Sequence, residues 1–179
     1  MEEGKKFDTG FPVPSLPEIL IRKDSVKEKV FSASKFAYIY GEAGSGKTTF
    51  ALSVSGKHPV YIKIPETKMQ DISFIYSYFL SSELLNEDKF FEEPFYEFKR
   101  EIVLQYILNK LIHKRRKVKI IVDDLHNLPE NSEMFLFIKD LFRYASRNLF
   151  FIFVSRKNPP SFLLKEADRG VFIQSKELR

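Results

Sequence analysis

The stretch Gly41-Glu42-Ala43-Gly44-Ser45-Gly46-Lys47-Thr48-Thr49 constrains this chain more than any other. It fits the pattern G-x-x-x-x-G-K-[ST] at every fixed position. Glycines let the backbone curl until successive N–H groups point inward, where they cradle phosphates. In such a loop Lys47 reaches the β- and γ-phosphates and the Thr48 hydroxyl binds Mg²⁺. A helix starting at the end of the loop adds its N-terminal dipole to the same negative charge. The flanks agree with this. Phe36-Ala37-Tyr38-Ile39-Tyr40 reads as a buried strand entering the loop, and Phe50-Ala51-Leu52-Ser53-Val54 as the helix leaving it. All nine residues from Gly41 to Thr49 are therefore candidate nucleotide-binding residues.

The rest of the chain alternates strands and helices. Phe11-Pro12-Val13-Pro14-Ser15-Leu16-Pro17 predicts an extended or turning segment, because proline fixes φ and restricts its predecessor. A short helix is expected within 18–34. Val60-Tyr61-Ile62-Lys63-Ile64 is a second strand, ended by Pro65. Aromatic-rich helices are expected from Ile72 to Leu85 and from about Pro94 to Leu111. Val118 to Val122 is a third strand, 132–147 a helix, Leu149 to Val154 a fourth strand and Gly170 to Ile173 a fifth. Strands this continuously apolar are buried on both faces, as in a parallel sheet covered by helices. The aromatic stripes at helical spacing read as core. Lys114-Arg115-Arg116-Lys117 reads as a solvated helix end, with a nucleic-acid contact as the alternative.

Composition sets limits on function. The 179 residues suit a single domain, with 1–34 as an extended segment and short helix and 35–179 as the core. With no cysteine, disulfides and thiolate metal sites are excluded. No apolar run approaches the eighteen or so residues of a membrane span, and the first residues lack a signal-peptide core. The expectation is a cytoplasmic protein with no membrane partner. The charged fraction of 30% without cysteine resembles a heat-adapted composition. The net charge of +5 permits nucleic-acid binding, with single-stranded DNA as a candidate partner.

A second motif narrows the chemistry. Ile120-Ile121-Val122-Asp123-Asp124 is an apolar strand ending in carboxylates, the Walker B pattern. Asp123 is expected across from Thr48, holding Mg²⁺. Hydrolysis also needs a group to orient the attacking water. Asp124 and Glu66 both qualify, since each follows a strand at the edge where ligands bind in open α/β sheets. Val154-Ser155-Arg156 ends at the same edge. Ser155 is a candidate hydrogen-bond partner of water or the γ-phosphate, and Arg156 a candidate phosphate sensor or finger toward a neighbouring subunit.

Two families resemble these residues. Asp8-Thr9-Gly10-Phe11, Ser15 to Leu20 and Ile39 to Thr49 look like the opening of RecA-type recombinases, especially the archaeal RadA paralogues and RadB. That resemblance implies an α/β, three-layer P-loop NTPase with a RecA-like, mostly parallel sheet and helices on both faces. It also implies Glu66 as the catalytic glutamate after the second strand, ATP and Mg²⁺ as cofactors, slow ATP hydrolysis, a role in DNA recombination and repair, and a recombinase or other ATPase subunit as partner. The chain departs from that family at Asp124-Leu125-His126 and Ser155-Arg156, and its glycine-rich DNA-binding loops are not evident. Asp123 to His126 and Val154 to Arg156 are similar to the Walker B and sensor segments of AAA+ and signalling ATPases. There Asp124 rather than Glu66 would matter for turnover. A nucleotide-dependent regulatory module with little hydrolysis is the third reading. ATP is expected over GTP because no guanine-specific N/T-K-x-D motif is present.

Overall fold

The structure, a computed structural model, describes residues 24–56, 59–66, 99–112, 117–145 and 147–178. The proline-rich opening segment, the helix expected at 72–85, the helix start at Pro94 and most of the basic run at 114–117 lie outside these residues. The described elements run α1 (Asp24–Ser32), β1 (Phe36–Tyr40), α2 (Lys47–Ser55), β2 (Val60–Lys63), α3 (Arg100–Ile112), β3 (Val118–Asp123), α4 (Glu133–Tyr144), β4 (Leu149–Ser155), α5 (Ser161–Leu164) and β5 (Gly170–Gln174). A 3₁₀ turn at Ser175–Leu178 follows β5.

The five strands form one sheet in the order β2-β3-β4-β1-β5, every neighbouring pair parallel. Alternation along each strand divides the apolar residues between two faces. Phe36, Tyr38, Ile120, Val122, Phe151 and Phe153 pack with α3 and α4 on one face. Ala37, Ile39, Ile121, Phe150, Ile152 and Val154 pack with α1 and α2 on the other. The result is the expected three-layer α/β P-loop NTPase architecture. Strand β4 lies in the middle, and all seven of its residues are buried. Because every strand runs the same way, Tyr40, Asp123, Ser155 and Gln174 all end at one edge.

Element ends shift by a few residues from the sequence expectation. Helix α4 starts one residue after its Ser132 cap, whose hydroxyl accepts the Phe135 N–H at 3.2 Å. It stops at Tyr144 rather than 147, where Ala145 turns extended (ψ 132). The following turn is tied down by Asn148, whose side-chain amide donates to the Leu111 carbonyl at 2.7 Å.

Phe142 is the hub of the α4 face. Its ring meets Phe36, Phe151, Phe153 and Phe162 edge-on, with centroids 5.4–5.8 Å apart. The Phe36 ring in turn covers Gly170, where an added Cβ would lie 2.1 Å from two ring carbons. Phe36 is fully buried and cannot swing aside. Gly170→Ala is therefore expected to lower unfolding free energy by about 1–3 kcal/mol through overpacking, read from urea or guanidinium midpoints. An unchanged midpoint would show that the β1–β5 contact yields.

Candidate nucleotide-binding site

The loop between β1 and α2 has the curl its sequence implies. Gly41, Gly44 and Gly46 all adopt positive φ, at 126°, 71° and 80°. Gly46 occupies the N-cap of α2 with no side-chain cap, which leaves the first-turn N–H groups directed at whatever lies ahead of the helix. Gly41 has a second constraint. A Cβ there would stand 2.2 Å from the Ser175 hydroxyl oxygen, so the loop entrance rests on the 3₁₀ turn after β5. Nothing in the sequence pairs these two residues.

Lys47 is buried and folds back along the loop. Its ammonium donates to the Gly41 carbonyl at 3.0 Å, to the Glu42 carbonyl and to the Ser45 hydroxyl at 3.3 Å. The Ser45 hydroxyl donates to the Glu42 carbonyl at 2.7 Å, bracing the same turn. Burial, and then the positive charge of Arg156, pull the Lys47 pKa below its usual value. An anion bound between Lys47 and Arg156 would relieve that strain.

Asp123 is 2% exposed at the end of β3 and accepts three hydrogen bonds. The Thr48 hydroxyl donates to Oδ2 at 3.0 Å, the Tyr61 hydroxyl to the same oxygen at 2.7 Å, and the Asp124 N–H to Oδ1 at 2.9 Å. The predicted Thr48–Asp123 juxtaposition is thus present. Tyr61 was not anticipated; its signal is the tyrosine in β2, the strand directly beside β3. Among the described residues no group of three or more His, Cys, Asp or Glu side chains could enclose a metal. A hydroxyl and one carboxylate fit Mg²⁺, which binds few protein ligands and keeps its waters and substrate phosphates.

Asp124 sits in left-handed conformation (φ 58°), the one non-glycine residue with positive φ among the described residues. Burial, and then the adjacent Asp123 charge, raise its carboxyl pKa. His126 lies 4.0 Å away through Nδ1. That nitrogen accepts the Arg156 N–H at 3.4 Å, and burial lowers the imidazole pKa. Both observations favour a neutral ring, so the His126–Asp124 approach is not an ion pair.

Of these groups, Lys47, Thr48, Asp124 and Arg156 line a cleft of about 170 Å³. Residues 43–49 form one wall, and Asp124, Val154 and Arg156 the other. Gly41, Glu42 and Asp123 lie just behind this lining, Asp123 joined to it through its bond from Thr48, while Ser155 and Glu66 have other surroundings. Ser155 is buried, its oxygen accepts the Lys157 N–H at 3.0 Å, and it lines a neighbouring cavity with Tyr38 and His126. Glu66 is exposed beyond β2 and does not line the cleft.

The sequence pattern of the AAA domain matches residues 30–158, which span the loop, Asp123 and Arg156. The chain belongs to the AAA domain family. With its loop, this AAA domain is a P-loop ATPase domain. No curated protein matches it by sequence. Among solved structures it is similar to Cdc6p from Pyrobaculum aerophilum, at a TM-score of 0.57 and 14% identity, over 89% of this chain and 47% of that one. PCH-2 of C. elegans follows at a TM-score of 0.47 and 12% identity, over 86% of this chain and 38% of that one. The AAA domain thus spans about half the length of the Cdc6p chain, and at this identity the likeness concerns the fold. Among the described residues, no helix is long and apolar enough to cross a membrane.

Proposed function

We propose that this AAA domain binds ATP with Mg²⁺ and hydrolyses it slowly, with Asp124 orienting the attacking water. The 3.0 Å bond between Thr48 and Asp123, opposite the glycine-rich loop, is the observation that carries this reading. Residues 41–49 hold the phosphates, Lys47 and Arg156 meet their charge, and Thr48 and Asp123 hold the metal. Bound there, Mg²⁺ would offset phosphate charge as it builds. Tyr61 holds the Asp123 carboxylate in place. A carboxylate that lines the cleft and directly follows Asp123 in the chain is placed for general-base work.

Phosphate release by Asp124→Asn and Glu66→Gln tests the assignment. Asp124→Asn is expected to lose about 10²–10⁴-fold in turnover, the usual contribution of a positioned base, while nucleotide affinity stays within a few-fold. Glu66→Gln is expected to match the parent within about twofold. The reverse pattern would move the base to Glu66 and favour a recombinase paralogue acting in DNA repair. Membership of the AAA domain family supports the first reading. Equal, negligible turnover in the parent would leave a regulatory module that binds nucleotide without consuming it.

A further inference from the structure

A second concave site lies on the α4 face of the sheet, away from α2 and the glycine-rich loop. It is a cavity of about 320 Å³ between α4 and the α5 segment. Its size falls within the roughly 300–1,000 Å³ range of ligand sites. Lys139 and Arg143 contribute from α4, and Lys165 from the end of α5. Phe142 and Phe162 supply the apolar wall.

The charge here is not an average surface mixture. Helix α4 sorts its charges by face. Glu133 and Asp140 both turn to Arg100 of α3, at 3.3 and 3.8 Å. Lys139 and Arg143 are left on the cavity side, and among the described residues neither they nor Lys165 approach a carboxylate within ion-pair distance. The single acid lining the cavity is Glu166. It is already matched by two cations, the buried Lys35 at 3.3 Å and Arg169 at 3.0 Å. Uncancelled positive charge therefore surrounds an aromatic wall. Phe162 is half-buried, and the exposed Tyr144 ring lies beside the Arg143 guanidinium at 5.8 Å. A solvated cationic patch needs no aromatics. Cations beside the part-exposed Phe162 ring, which is held edge-on by Phe135, Phe142 and Phe153, match the chemistry of single strands, in which phosphates alternate with planar bases.

We propose that this cavity binds single-stranded nucleic acid, with phosphates on Lys139, Arg143 and Lys165 and a base stacked against Phe162. The site shares no residue with the nucleotide cleft, and its occupation does not require hydrolysis.

Anisotropy of labelled oligothymidylate and oligouridylate, each about twenty nucleotides long, tests it across a salt series. The paired reversal Lys139→Glu/Arg143→Glu is expected to weaken binding and reduce the log–log salt slope by about 1.4, two contacts at about 0.7 each. Phe162→Leu keeps the apolar filling but removes the stacking plane. It is expected to lose roughly 5- to 100-fold in affinity with the slope unchanged. The DNA and RNA arms identify which strand is preferred. A control reversal, Lys27→Glu/Lys176→Glu, lies on the α1–α2 side of the sheet and should leave binding within about twofold. Melting by circular dichroism checks that each variant is folded, so a failure of the ATP reading leaves this test intact. The proposal is overturned if the cavity reversal leaves affinity and slope unchanged. It is also overturned if the control reversal weakens binding as much, or if polyglutamate displaces the oligonucleotide at equal charge.

Discussion

Lys47→Ala is expected to reduce affinity for a fluorescent ATP analogue at least about 30-fold, to below detection in a micromolar titration. The buried ammonium is one of two cations facing the cleft, and truncating one partner of a buried, hydrogen-bonded charge pair costs about 2 kcal/mol or more. The loop should survive the change. Its curl is set by Gly41, Gly44 and Gly46 and braced by the Ser45–Glu42 bond, which stay in place when the bonds Lys47 donates to Gly41, Glu42 and Ser45 are lost. Circular dichroism should therefore match the parent while binding disappears. A variant that binds as tightly as the parent would remove the phosphate-loop assignment and the reading built on it.

The second large effect concerns stability. Phe142→Ala is expected to lower unfolding free energy by about 3–5 kcal/mol. The ring is buried and makes edge contacts with four other phenylalanines, two of them on the central strand β4. The Lys35 ammonium also sits 4.2 Å from its centroid. Alanine would leave a cavity that rigid neighbours from β1 and β4 cannot close. Since whole domains are stable by only about 5–15 kcal/mol, the variant should be marginal at room temperature. Guanidinium unfolding of the parent and variant measures the difference. Tyr144→Ala, two residues on but 58% exposed, provides the contrast, with an expected change within about 0.5 kcal/mol. Similar losses from both would mean that the aromatic cluster is not the centre of the core.

The nucleotide cleft was legible because its constraints are local. Nine consecutive residues specify the loop, and an apolar run specifies the strand that ends in Asp123. Chain periodicity also revealed the parallel α/β character. Strand order was not legible, and that matters for Glu66. It follows β2, as the recombinase resemblance requires, but β2 is an edge strand among the described residues and lies three places from β1. At roughly 4.8 Å per strand, that is about 14 Å across the sheet. Asp124 follows β3, one strand nearer, and lines the cleft. Tyr61 and Ser175 were invisible for the related reason that their roles depend on neighbours far along the chain. Tyr61 reaches a carboxylate 62 positions away, and Ser175 supports a glycine at the opposite end of the described core. No spacing rule in the sequence encodes either contact.

The left-handed backbone at Asp124 bears on how this domain evolves under selection for robustness. A side chain in that region destabilises the folded chain by roughly 1–2 kcal/mol relative to a relaxed backbone, less for Asp than for bulkier residues. Glycine would occupy the same turn without that penalty. The most direct route to a sturdier domain at this position therefore deletes a carboxylate that lines the cleft. With Asp124 in the water-orienting role proposed above, thermal tolerance and turnover would pull in opposite directions at a single codon, and a screen for heat resistance alone would be drawn toward an inert protein.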